Sequence, residues 1–267
     1  MTAYEVKGKF AIVTGAGSDV SDWNQISSLW ATALEIFPQV DIVCNGAGVY
    51  EPPSSCFWNA PGVSPLAQDP VDAKVGQYKT FAVNTIGPIR LAQIAIDYWL
   101  QNRSIEGNCW YPYHRGVGSN RRVLGVTKYQ YLYFQSDSNL LWIASLGGYV
   151  HSMHTPMYFA SKAAIVSMVK SLGGLRKELG IRNAAVCPGA VYTPIFHPEY
   201  CRDRVRPDDL TLTPQQCAAV LMRVLCEPEF GDGNVAETML VGSKDDSSVS
   251  VREVPLHLLY PIAGPVG

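Results

Sequence analysis

The sequence predicts an α/β fold, a parallel sheet covered by helices on both faces. Three observations carry this. Short apolar, β-branched runs recur along the chain; segments with helical spacing separate them; and the runs end in glycine or Pro-Gly. The chain has 267 residues, 47% apolar and 16% charged, against about 25% charged in an average globular protein. That excludes a disordered chain and supplies material for one sizeable core, so a single domain over 1–267 is expected.

The elements follow in order. Residues 9–15 (KFAIVTG) read as a buried parallel strand. Ser21 and Asp22 cap a helix on which Trp23, Ile26, Trp30, Ala33 and Phe37 share a face, and Pro38 ends it. Residues 41–48 (DIVCNGAG) form the second strand. The proline-rich loop 49–70 is too long for a routine connector and has the length of a binding mouth. A helical pattern over 71–102 is interrupted at 84–88, where Pro88 should bend or break it. Residues 140–145 are the third strand, 155–179 a long helix opened by Thr155-Pro156, and 181–191 the fourth strand. Thr213-Pro214 opens a helix to 225, and 238–242 is a last strand.

Function classes narrow quickly. A net charge of −2 advertises neither nucleic acid nor an anionic membrane surface. No apolar run approaches the 18 or so residues of a membrane span, and the first ten residues do not read as a secretion signal. Seven scattered cysteines without a Cys-x-x-Cys pair argue against a disulfide framework and a zinc site, leaving a reduced, cytoplasmic setting. His151 and His154 lack nearby carboxylate or cysteine partners, so no metal is expected. Low surface charge fits a homo-oligomer.

In open parallel sheets, ligands bind beyond the carboxyl ends of the strands. Gly15, Gly17, Asn45, Gly48, Ser145 and residues 188–193 all fall there. Tyr158 and Lys162, four apart in the long helix, share one face. A nearby ammonium favours a phenolate, so Lys162 is expected to lower the pKa of Tyr158, and such a phenol passes protons to and from a substrate oxygen. Ser145 would hold that oxygen.

Taken in order, these motifs resemble the short-chain dehydrogenase/reductase family. Thr14-Gly-Ala-Gly17 looks like the start of its glycine-rich turn, and Asn45-Gly-Ala-Gly48 like its Asn-Asn-Ala-Gly. Asn84, Ser145, Tyr158 with Lys162, and 188–193 (PGAVYT) match its later motifs. The resemblance implies a Rossmann-like sheet and a catalytic set of Ser145, Tyr158, Lys162 and Asn84. Tyr158 would act as general acid/base, Lys162 would also bind the nicotinamide ribose, and Asn84 would hold a relay water. It further implies NAD or NADP, with NAD favoured, held by Gly15, Gly17, Asp19, Val20, Asn45, Ala47, Gly48, Tyr158, Lys162, Val191 and Thr193. The substrate would be a lipophilic alcohol or ketone, a choice the apolar residues Phe57, Trp58 and Tyr192 favour.

Two departures stand out. Asp19 and Ser21 occupy positions where the family's turn has glycines, and Thr14 and Asn45 are only 31 positions apart. A full unit needs roughly 45–50 more residues, so the family's second and third strands are expected to be missing, with Asp19-Val20 as the end of the third. That exposes a sheet edge and removes much of the adenosine platform. Conversely, an atypical insert occupies about 103–138, with Trp110 and five tyrosines among basic residues. The alternative reading is therefore a cofactor-deficient remnant acting as a non-enzymatic binding protein, or the product of a reading frame that lost one coding segment and gained a non-coding one.

Overall fold

The computed structural model describes residues 3–15, 19–74, 76–102, 138–206 and 208–254. Gly17 and nearly all of the 103–138 insert lie outside the described residues.

One sheet organises the chain, with strands β1 (Ala11–Val13), β2 (Ile42–Asn45), β3 (Ser138–Ile143), β4 (Ile181–Pro188), β5 (Asp232–Gly242) and β6 (Ser247–Glu253) in sequential order. The first five are parallel and β6 returns antiparallel to β5. The sequence reading gave only residues 238–242 for this hairpin. Most of β6 is exposed and polar, so it carries no buried-strand pattern.

The helices are α1 (Trp23–Ile36), α2 (Lys79–Phe81), α3 (Gly87–Gln101), α4 (Pro156–Ser171), α5 (Leu175–Leu179) and α6 (Pro214–Cys226). Strand alternation splits the core in two. On one face Val43, Leu140, Trp142 and Ala185 pack with Ile26 and Trp30 of α1, Leu91 and Trp99 of α3, and Ile165 and Val169 of α4. On the other, Ile42, Cys44, Leu141 and Val186 meet Val220 and Val224 of α6, with Tyr4 and Phe230. Helices therefore cover both faces, three against one. Among the buried polar side chains on the strands, Asn183 accepts from Trp142 Nε1 at 2.8 Å and donates to the Val169 carbonyl at 2.9 Å.

A single helix, α1, carries the chain from β1 to the adjacent β2, and β1 is the sheet's edge. The expected shortening is what the topology has. Among the described residues no strand lies beyond it, and Val13 is 62% exposed.

Three boundaries differ from expectation. Residues 71–74 and 76–78 are not helical; α2 begins at Lys79, where Asp69 accepts from its amide at 2.8 Å. Pro88 neither breaks nor sharply ends the helix. It cannot donate to the carbonyl of Asn84, four residues back, and the chain widens into a π turn over Ala82–Ile86 before α3. The long helix is interrupted at Gly173-Gly174, which separates α4 from α5.

Candidate active site

Beyond the carboxyl ends of β2, β3 and β4, the folding of α4 against the β3 loop assembles the site. Ser145 opens a short 3-10 turn, Leu146–Gly148, and its Oγ accepts from the Gly147 amide at 3.0 Å. A Cβ at Gly148 would stand 2.4 Å from Val166 of α4, so only glycine lets this turn lie flush on the helix. A Cβ at Gly147 would stand 3.2 Å from the Tyr158 ring and 3.4 Å from Ser145 Oγ, so the two side chains flank the same turn. Lys162, one turn on, is buried and donates to the Ile143 carbonyl at 3.0 Å.

The electrostatics depart from the sequence expectation. Burial pushes the Tyr158 phenol up to about 12, against a smaller downward pull from Ser145. Burial also lowers Lys162 to about 8. The ammonium lies 6.0 Å from the centre of the Tyr158 ring, so desolvation dominates and the expected lowering of the phenol by Lys162 is not found. At the end of β4, burial raises the Cys187 thiol to about 12.

Asn84 joins this group through its neighbours. Its Oδ1 accepts from the Val49 amide at 2.8 Å, and its Nδ2 donates to the Val49 carbonyl at 3.0 Å and to Ser161 Oγ at 3.1 Å. The side-chain amide thus clamps the β2 loop to α4.

Among the cofactor candidates, Gly15 ends β1 with φ +117°, and Thr14 Oγ1 accepts from the Gly46 and Ala47 amides at 3.1 and 3.2 Å. Val20 packs with Ala47 and Val83. Val191 and Thr193 follow β4, and Phe196 beyond them packs on Tyr50, whose ring lies 4.6 Å from that of Tyr158. Both amide atoms of Asn45 are buried without a partner, and a Cβ at Gly48 would come 3.5 Å from Asn84 Oδ1 and Lys162 Nζ. An orphaned amide beside an open glycine cradle fits the nicotinamide end of a dinucleotide.

The adenosine end fits less well. Asp19 is held at about 2 by Lys79, whose Nζ is 2.7 Å away, and by Ser21. Asp22 caps α1 by accepting from the Asn24 amide at 2.8 Å, so a carboxylate stands where a diphosphate would seek a helix N-terminus. Beside Lys79 opens a cleft of about 540 Å³, lined by Ser21, Val49, Ser54, Asp69 and Ala82.

Two residues were missed by sequence reasoning. Glu51, 3% exposed, accepts from the amides of Phe57 at 3.1 Å and Tyr158 at 2.8 Å. Ser161 links Asn84 to the Tyr158 carbonyl at 2.7 Å. The partners that matter, the Tyr158 amide for Glu51 and the Asn84 side chain for Ser161, are distant in sequence, and no local pattern signals those.

A parallel sheet with helices on both faces, and a serine, a tyrosine and a lysine past its strand ends, defines an α/β protein with a Rossmann-like fold. The family described as short chain dehydrogenase matches residues 124–202. The chain is 24% identical over 193 residues to 1-deoxy-11-beta-hydroxypentalenate dehydrogenase of Streptomyces exfoliatus, covering 72% of this chain and 54% of that protein. It is 24% identical over 180 residues to 15-hydroxyprostaglandin dehydrogenase [NAD(+)] of Bos taurus, covering 67% and 48%. An uncharacterized oxidoreductase of Staphylococcus aureus is 24% identical over 221 residues, covering 81% and 71%. The chain is thus similar to short-chain dehydrogenases over these stretches, and it spans about half the length of the first two of these relatives. Among the described residues, no helix is long and apolar enough to cross a membrane.

Proposed function

We propose that the chain interconverts a secondary alcohol and a ketone with a nicotinamide cofactor. The observation that carries this is the Ser145–Tyr158 hydroxyl pair standing over buried Lys162 at the ends of β3 and β4. Ser145 orients the substrate oxygen, and Tyr158 transfers a proton to it in reduction and from it in oxidation. When bound, the nicotinamide supplies or accepts the hydride. Lys162 and the Gly48 cradle would hold its ribose, with Val191 and Thr193 after β4 contributing to the carboxamide side. With the ammonium 6.0 Å from the ring centre, the phenol is a weak base until a ligand adds charge or hydrogen bonds around it.

NAD is favoured over NADP, because one relative is named for NAD(+). A lipophilic substrate fits the rim: Phe57 and Trp58 are each 59% exposed and Tyr192 50%, with Tyr50 and Phe196 beside the phenol. Relatives named for pentalenate and prostaglandin substrates support a lipid-like or secondary-metabolite alcohol.

A second reading, a cofactor-deficient remnant, is favoured by the carboxylate cap on α1 and the occupied Asp19. Titration with NADH and NADPH, followed by nicotinamide fluorescence, separates the two. Saturable binding of either is expected, and none up to millimolar concentration leaves the remnant. Tyr158→Phe should then abolish turnover while cofactor affinity holds; retained turnover removes Tyr158 from the mechanism.

A further inference from the structure

Glu51 sits in the loop after β2 with φ +32°, a conformation that side chains rarely adopt, and among the described residues no other non-glycine has positive φ. Its carboxylate is buried, one oxygen on the Phe57 amide and the other on the amide of Tyr158. Tyr158 is the third residue of α4, so its N–H has no acceptor within the helix. Thr155, at the N-cap position, makes no capping bond, and its hydroxyl is buried without a partner. A residue more than a hundred positions upstream therefore caps the helix that carries the phenol. A carboxylate there also complements the helix dipole.

The neighbour reinforces this, since Tyr50 packs its ring 4.6 Å from that of Tyr158. The pair Tyr50-Glu51 thus grips Tyr158 by ring and by backbone. Through Phe57, the same carboxylate ties the aromatic rim to α4. Trp58 Nε1, donating to the Met153 carbonyl at 2.9 Å, makes a second tie.

We propose that Glu51 is a positioning residue for Tyr158: its carboxylate anchors the first turn of α4 and so fixes the phenol against Ser145. This rests on the dehydrogenase reading, and its effect on proton transfer depends on that reading. The backbone anchor does not.

The test compares wild type with Glu51→Gln, which keeps shape but replaces one acceptor by an NH2 facing an N–H. Hydrogen exchange should accelerate at least tenfold across 156–161 and stay unchanged across β4. Unchanged exchange at 156–161 overturns the proposal. With NADH and 2-decanone as probes, Glu51→Gln should lower kcat about tenfold or more and leave KM within twofold. The solvent deuterium isotope effect on kcat should rise, because a misplaced phenol makes proton transfer limiting. A kcat within twofold of wild type, or a loss matched by lost NADH binding with an unchanged isotope effect, overturns positioning. Glu51→Asp keeps the charge and shortens the reach; it should fall between the two in exchange and in kcat, and it serves if Glu51→Gln does not fold. A wild-type chain that binds no NADH defeats the dehydrogenase reading instead, and the exchange result still decides whether Glu51 holds α4.

Discussion

The ammonium of Lys162 donates to the carbonyl of Ile143 at 3.0 Å and lies 6.0 Å from the centre of the Tyr158 ring. Each of the two titratable groups is thus buried on its own terms. Lys162 titrates near 10.5 when unfolded and at about 8 in the fold, so the folded chain holds fewer protons than the unfolded chain between those values. Stability therefore rises with pH across that window, and the penalty is full below about 8. Lys162→Met removes it. The stability difference, variant minus wild type, should shrink by about 3 kcal/mol as pH rises from 8 to 10.5 in urea unfolding. A pH-independent difference would contradict the buried ammonium.

Ser145→Ala removes the hydrogen bond that draws the Tyr158 phenol down. The alkaline limb of kcat/KM should move to higher pH, and turnover should fall on the order of a hundredfold. A pH profile that coincides with wild type would mean the two hydroxyls do not act together.

Glu237, buried on β5, accepts from Tyr149 Oη at 2.7 Å and from Arg252 at 2.5 Å. Burial pushes its carboxyl up, yet those two bonds outweigh it and hold it below the ordinary 4.5. Its stabilisation is present above 4.5 and is lost as pH falls through the folded value. Thermal melts of Glu237→Gln should lie below wild type at pH 6, and the gap should close as pH drops below 4.5.

A Cβ at Gly87 would stand 2.2 Å from the Val20 carbonyl. Gly87→Ala should cost about 1–3 kcal/mol by overpacking and should weaken NADH binding as the Val20 segment is pushed off the helix. Gly76 has nothing within 4 Å of the equivalent point, so Gly76→Ala should stay within about 0.5 kcal/mol of wild type.

Lys79→Met should return the Asp19 carboxyl from about 2 toward 3.8 in NMR titration, since Lys79 is the largest cause of its depression. Both side chains are more than 40% exposed, so stability should change by less than about 1 kcal/mol.

Much of this was legible in advance. The runs at 41–48 and 181–191 are near-continuous apolar segments because helices cover both sides of those strands, so their pattern names them. Tyr158, Lys162, Ser145 and Asn84 were readable because their spacing and order follow a known motif set. Residues 71–74 and 76–78 were misread as helix, and β6 was missed because an exposed polar strand has no periodic signature. Pro88, expected to bend or break the helix, removed one donor, and the helix answered with a wider turn rather than a break.

The sequence by itself determined the parallel architecture, the shortened path from β1 to β2, and the identity of the groups at the strand ends. Those depend on local apolar patterning and on chain length, which any stretch of sequence carries. Only the tertiary structure decided the state of those groups. Burial sets Tyr158 at about 12 and Lys162 at about 8, Glu51 holds an amide 107 residues away, and Lys79 occupies Asp19. Desolvation and long-range hydrogen bonds exist only once distant segments pack together, and that is why no reading of neighbours along the chain could supply them.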